Sequence, residues 1–184
     1  MSDRMIRYGI VGVGLMGREH IRILSLIPNA EVAAFYDPDE TSRLRASQLV
    51  PSAKSYDDFD NFCRRDDIDA LIISSPNHTH AQILPRLIQN GQHILIEKPL
   101  TTSIEDTKMV SDLLQDYQGI VWTGMEYRYA PPVNYAINEV HIGTIGPVHM
   151  VSIREHRHPF LPKIGDWNRF NRNTGGTLVE KCCH

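Results

Sequence analysis

Apolar runs suited to buried parallel strands recur at Ile6 to Val11, Glu31 to Tyr36, Ala70 to Ser74, His93 to Ile96 and Ile120 to Thr123, each followed by a segment long enough for a helix. Alternation of this kind predicts an α/β fold, a doubly wound parallel sheet with helices on both faces. The residues between the runs agree. Thr102-Ser103-Ile104-Glu105 reads as a capping box, Gly91 follows a helix ending at Asn90, and Gly119 closes one ending near Gln118. Pro85 falls inside the helix expected from about Thr79 to Asn90, which predicts a kink or a later start.

After Thr123 the pattern changes. Pro131-Pro132 opens a helix through about His141, Gly143 and Gly146 break it, and Val148 to Glu155 reads as a longer strand. Residues 1–124 are therefore expected to form one domain, and 125–184 the start of a second, α+β domain that is incomplete because it has too little chain to close a sheet. Arg157 to Gly176 is aperiodic and rich in Pro, Gly, Asn and Arg, as in a loop crossing a cleft, and Gly175 to Glu180 begins another helix.

Composition narrows the function classes. With 41% hydrophobic and 22% charged residues the 184-residue chain is ordinarily globular. Nineteen Lys and Arg against 22 Asp and Glu, a net charge of −3, offer no general attraction to nucleic acid. Cys63, Cys182 and Cys183 are too few for a disulfide framework and fit a reducing, cytoplasmic setting. No run reaches the ~20 apolar residues that span a bilayer, and the apolar stretch Ile10 to Met16 is broken by Gly12 and Gly14, unlike a signal peptide.

Gly12-Val13-Gly14-Leu15-Met16-Gly17 fits G-x-G-x-x-G directly after the first strand and before the amphipathic stretch Arg18 to Ile27. In that setting Gly12 allows the tight turn, Gly14 lets backbone approach a pyrophosphate, Gly17 allows close helix–strand packing, and the helix N-terminus offers N–H groups to the anion. Asp37, ending the second strand, reads as acceptor for the adenosine ribose hydroxyls and as a repulsion to a 2′-phosphate; its other reading is a cap for a helix starting near Asp39. Arg43 complicates the choice, so the cofactor is read as NAD with NADP possible.

Ser74-Ser75-Pro76-Asn77-His78-Thr79-His80 ends the third apolar run and Glu97-Lys98-Pro99 the fourth, at the edge where open α/β sheets bind ligands. Together with the glycine turn and Gly175-Gly176 followed by Glu180-x-x-x-His184, these segments closely resemble the glucose-fructose oxidoreductase, inositol dehydrogenase and MocA family over essentially the whole chain. The resemblance implies an NAD(P)-dependent oxidoreductase acting on a sugar, polyol or related hydroxy compound, homo-oligomeric at full length. It makes Lys98 and His184 catalytic, with Glu180 the carboxylate beside them, and implies a cis bond between Lys98 and Pro99. Leu15, Met16, Ser74, Ser75, Pro76, Asn77, His80, Glu97 and Lys98 would line the cofactor, and Lys98, Arg128 and His184 the substrate; Trp167, in the expected cleft loop, reads either as a further substrate contact suited to a polyhydroxylated ligand or as a buried anchor. Two positions depart from the family pattern: Glu180 replaces an aspartate and Cys182 a position often held by glycine.

His156-Arg157-His158, His78 with His80, and Cys182-Cys183-His184 carry metal-ligand types at spacings that match no structural zinc site, so no metal is expected. The alternative to an enzyme is a nucleotide-binding chain, or a truncated product, that binds cofactor without turnover.

Overall fold

A computed structural model describes residues 4–154, 156 and 161–183. In chain order the elements are β1 (Ile6–Val11), α1 (Leu15–Leu24), β2 (Ala30–Tyr36), α2 (Glu40–Leu49), β3 (Lys54–Tyr56), α3 (Phe59–Cys63), β4 (Ala70–Ile73), α4 (His80–Leu87), β5 (His93–Glu97), α5 (Ile104–Leu114), β6 (Val121–Gly124), α6 (Pro131–His141), α7 (Asn171–Thr174) and α8 (Thr177–Lys181). The six strands form one sheet in the order β3-β2-β1-β4-β5-β6, and every pair is parallel. Strand order reverses between β1 and β4, which opens a crevice beyond their carboxyl ends.

Because side chains alternate across a strand, β4 feeds both faces of the sheet. Leu71 and Ile73 pack with Val11, Ala81, Leu84, Ile94, Ile96 and Val110 on one side. Ile72 packs with Ile10, Ile21, Leu24, Val32, Phe35 and Ala46 on the other. The β1–β2 register slips between Tyr8 and Gly9, so that Val32 and Phe35 join the same cluster despite their odd spacing.

Local chemistry sets the helix starts. Asp39 caps α2 by accepting from Ser42 N at 2.7 Å, Asp58 caps α3 through Asn61 N at 2.7 Å, and Ser103 caps α5 through Asp106 N at 3.1 Å. The capping residue of α5 is thus Ser103, one position later than the box read from Thr102, and α5 ends at Leu114 rather than near Gln118. Asn77–Thr79 forms a 3-10 turn, α4 starts at His80 and ends at Leu87, and Pro85 stays inside it, so the start is not delayed past the proline. The edge strand β3 was not anticipated: it has three residues, mostly polar, and Lys54 marks it as an edge.

Past β6, Pro131 opens α6 as expected. The strand expected from Val148 to Glu155 does not form over 148–154; Glu155 lies outside the described residues, as do Arg157 to Phe160 of the expected cleft loop. A strand needs a neighbour to supply its ladder, and among the described residues beyond β6 there is none. Met150, Val151 and Ile153 are instead 84%, 71% and 86% exposed. Hydrogen exchange should accordingly divide this chain, with β1 and β4 amides strongly protected and those of 148–154 exchanging like open backbone. Strong protection across 148–154 in the monomer would contradict this.

Candidate cofactor and proton-transfer site

The three motif glycines of the turn after β1 meet three different surroundings. Gly12 has φ 87°, and a Cβ there would lie 2.6 Å from the Ser75 backbone nitrogen; one on Gly17 would lie 2.1 Å from the Gly12 carbonyl oxygen. Both positions are therefore closed by backbone. The Ser74 hydroxyl secures the same contact by donating to the Gly12 carbonyl at 2.7 Å. Gly14 differs: a Cβ on it would have nothing within 4 Å. It is the N-cap of α1, with no side-chain cap bond and no acidic residue in the first turn, so no side chain at the start of α1 takes up its leading N–H groups. Leu15 and Met16 border this opening, 36% and 40% exposed. The cradle fits a pyrophosphate in both shape and charge.

Asp37 closes the turn from the β2 side. Its carboxylate is 7% exposed and accepts from Val13 N at 2.8 Å and Asp39 N at 2.9 Å. Capping of α2 belongs to Asp39, so that alternative for Asp37 is set aside. Burial raises the Asp37 pKa above the ordinary carboxylate value, against the pull of the Asp39 and Val13 N–H groups and the Arg43 charge. Arg43 donates to the Asp37 and Pro38 carbonyls at 2.8 and 3.0 Å, at the rim of the same site.

After β4, Ser75 shares a 2.7 Å hydroxyl contact with Thr79, whose hydroxyl also donates to the Pro76 carbonyl at 2.7 Å. Asn77 is 7% exposed, and its amide nitrogen has no hydrogen-bond partner among the described residues; the same holds for His78 Nδ1 and Asn168 Oδ1. The His78 and Trp167 rings lie 6.3 Å apart, so the 3-10 turn at Ile164–Arg169 approaches the turn after β4.

His80 corrects the reading of it as a pocket-lining residue. It is 0% exposed, with Nδ1 3.0 Å from the Pro99 carbonyl and Nε2 3.1 Å from the Ser75 carbonyl. A neutral ring donates through one nitrogen only; burial pushes its pKa below the ordinary histidine value, while the carbonyls of Ser75, Pro99 and Leu100 and the charge of Glu97 oppose that shift.

After β5, the Glu97 carboxylate pairs with His20 of α1 at 2.8 Å and accepts from Lys98 N at 3.3 Å. His20 was missed from sequence because a single histidine inside an amphipathic helix carries no signal. The Lys98-Pro99 bond is cis, as expected. Lys98 Nζ donates to the backbone carbonyl of Glu180 at 3.1 Å, which joins the end of β5 to α8. The expectation for Glu180 is thereby modified: its carboxylate pairs with Lys181 at 2.9 Å, and its carbonyl is what meets Lys98. His184 lies outside the described residues. Arg128, on the 3-10 turn Glu126–Tyr129, is exposed and is not brought to Lys98 by any contact among the described residues.

Lys163 is a further charge that sequence reading passed over, since it stands alone in an aperiodic segment. Burial lowers its pKa below the ordinary lysine value, with Lys181 and Lys98 adding repulsion and Glu180 and Glu97 opposing it. Lys98, Lys163 and Lys181 thus share one electrostatic field with two carboxylates.

Comparison with known proteins agrees with this geometry. Residues 6–125 match the family model described as an oxidoreductase family with an NAD-binding Rossmann fold, and 138–184 match the oxidoreductase family's C-terminal alpha/beta domain. The inositol 2-dehydrogenase of Corynebacterium glutamicum strain R is 30% identical over 85% of this chain and 47% of its own length. Among solved structures, scyllo-inositol dehydrogenase from Lactobacillus casei with bound NAD(H) and scyllo-inositol superposes with TM-score 0.73 at 27% identity, over 78% of this chain and 43% of that one. Levoglucosan dehydrogenase in complex with NADH and levoglucosan superposes with TM-score 0.72 at 25% identity, over 78% and 41%. The chain spans about half the length of the curated relatives it matches. With the glycine turn at the switch point of a parallel sheet and Glu97-Lys98-Pro99 at its carboxyl edge, the chain belongs to the glucose-fructose oxidoreductase, inositol dehydrogenase and MocA family of oxidoreductases.

Proposed function

We propose that this chain is the cofactor-binding and proton-handling part of an NAD(P)-dependent oxidoreductase acting on a sugar, polyol or related hydroxy compound. The observation that carries the proposal is the Lys98 ammonium at the carboxyl edge of β5, held 3.1 Å from a carbonyl of α8. Three of the named relatives and neighbours act on or bind a polyol or anhydrosugar, which supports the substrate class.

When bound, the nicotinamide supplies the hydride acceptor or donor. The work of the chain's own residues follows from their positions. Gly14 and the first N–H groups of α1 hold the pyrophosphate, with Leu15, Met16 and Gly17 shaping the turn. Asp37 accepts from the ribose hydroxyls through lone pairs left after its two backbone contacts. Ser74, Ser75, Pro76 and Asn77 wall the crevice after β4, and Glu97 fixes the wall after β5. An alcohol that loses hydride must also lose its hydroxyl proton, so a charged or acid–base group has to sit beside that oxygen. Lys98 spends one of its three N–H bonds on the Glu180 carbonyl, which leaves two to face the substrate oxygen and stabilise developing alkoxide. The family resemblance assigns the proton itself to His184. Trp167 and Arg128 extend the substrate wall, and a cytoplasmic homo-oligomer completes the same reading.

A turnover screen with NAD and NADP against polyols and sugars, on this chain and on a longer form of it, tests the proposal. Dehydrogenation of a polyol is the expected result; cofactor binding without turnover in any form would favour a binding-only chain.

Asp37 supplies two further expectations. Asp37→Ala should weaken NADH more than NADPH, since the carboxylate attracts a ribose diol and repels a 2′-phosphate. It should also cost about 1–3 kcal/mol of stability, because two backbone N–H groups lose their acceptor. Equal losses for both cofactors would remove Asp37 from ribose recognition. The pH dependence follows from its raised pKa. The folded state holds this proton more tightly than the unfolded chain, so the group's stabilisation is complete below the ordinary carboxylate pKa and is lost as pH rises through the raised value. Cofactor affinity runs the other way, falling as pH drops through that value, because ribose hydroxyls donate to the ionised form. Titrations of NADH at several pH values should show this fall in the wild type, and Asp37→Asn should flatten it.

A further inference from the structure

We infer that His20 is a positioning residue for the Lys98 segment: by holding one oxygen of the Glu97 carboxylate it leaves the other to fix the Lys98 backbone against α1, the helix that opens the cofactor cradle. This rests on the role proposed above for Lys98. Alternation along β5 sends Ile94 and Ile96 into one core cluster and Leu95 against the other, the one that holds Ile21 and Leu24 of α1. Glu97, two residues beyond Leu95, therefore projects on the α1 side. His20 meets it there, from a position beside the buried stripe of Gly17, Ile21 and Leu24.

The two side chains are only 16% and 14% exposed, and a carboxylate so enclosed is costly unless it is bonded. Each oxygen has its own donor. His20 Nε2 donates to Oε1 at 2.8 Å, and the Lys98 N–H donates to Oε2 at 3.3 Å. The cation able to draw the carboxylate away is Lys163, whose ammonium already feels the Glu97 charge. His20 thus keeps Glu97 on the Lys98 N–H. The Lys98 ammonium in turn reaches the Glu180 carbonyl at 3.1 Å, so the two ends of this residue are fixed from α1 and from α8.

Hydrogen exchange followed by NMR reads the tie directly, with the Ile94 amide, which donates to the Ile120 carbonyl at 2.7 Å, as the control within β5. In His20→Leu the Lys98 amide should exchange about tenfold faster while Ile94 keeps its wild-type rate. His20→Gln, which sets an N–H near the Nε2 position, should restore slow exchange at Lys98, and His20→Asn, which stops near the Nδ1 position, should not. In a form of the protein that turns over, His20→Leu and His20→Asn should lower kcat about tenfold with the NADH dissociation constant unchanged, and His20→Gln should keep most of the rate. Combining His20→Leu with Glu97→Leu removes the stranded carboxylate along with its partner, so the double variant should melt above His20→Leu yet keep the lowered kcat. A wild-type exchange rate at Lys98 in His20→Leu, an Ile94 amide accelerated by the same factor as Lys98, or recovery of kcat in the double variant would overturn the positioning role. Wild-type kcat in Lys98→Met would instead sink the role proposed for the lysine, and the amide rates would still decide the tie from His20 through Glu97.

Discussion

Gly14→Val is expected to raise the NADH dissociation constant about a hundredfold, since forcing extra carbon into a filled contact costs roughly 1–3 kcal/mol and each 1.4 kcal/mol is tenfold. The melting temperature should fall only slightly, through the loss of a favoured N-cap residue. In the chain itself a Cβ at this position meets nothing within 4 Å, so the fold has no quarrel with it. The conflict arises only when a pyrophosphate lies against the backbone there. Gly12→Val and Gly17→Val provide the contrast, because their side chains would start 2.6 Å from the Ser75 nitrogen and 2.1 Å from the Gly12 oxygen, and Gly12 also needs φ 87°. Those two variants should lose stability before any question of cofactor arises. Calorimetric titration with NADH beside thermal melts separates the outcomes. Unchanged affinity in Gly14→Val would remove the pyrophosphate from the glycine turn.

Lys98→Met, in a form of the protein that turns over, should lower kcat by about 10²–10⁴-fold with NADH affinity nearly intact, the range typical of lost proton-transfer catalysis. Its ammonium is tied to the Glu180 carbonyl of α8, whereas Asp37 bonds the Val13 N–H of the glycine turn, so removing the lysine leaves the proposed cofactor contacts in place. Lys98→Arg keeps the charge, but its planar fork does not reproduce the compact ammonium that bonds the Glu180 carbonyl, so it should recover only part of the loss. His184→Ala should give a loss of the same class. If both residues serve one proton pathway, the double variant falls short of the product of the single losses. Wild-type kcat in Lys98→Met, measured at saturating cofactor with a confirmed substrate, would remove the lysine from the reaction.

Much of the fold was legible because buried parallel strands must be apolar on both faces, and Ile6–Val11, Ala30–Tyr36, Ala70–Ile73 and His93–Glu97 all came within a residue or two of the runs that announce them. Polar Lys54–Tyr56 was not legible, for an edge strand of three residues has neither the length nor the burial to leave a pattern. Val148 to Arg154 has the composition of a strand and is none, because composition cannot supply the neighbour that completes a ladder. The site divides in the same way. Glycine spacing marks the turn, since only backbone without Cβ fits there, and the end of β2 marks Asp37. Nothing in the spacing tells that Asp37 would grip Val13 N, that Glu97 would find His20, or that His80 would be buried between two carbonyls.

The alternation of elements, the place of the phosphate-binding turn and the family to which Glu97-Lys98-Pro99 belongs can all be read along the chain, because they are local properties of period, backbone freedom and residue type. Which side chains are spent on holding the site, and which remain to act in it, is settled by the folded chain. That choice depends on contacts between residues far apart in the chain, such as Lys98 with the Glu180 carbonyl, and no local pattern encodes a partner that the fold alone brings within 3.1 Å.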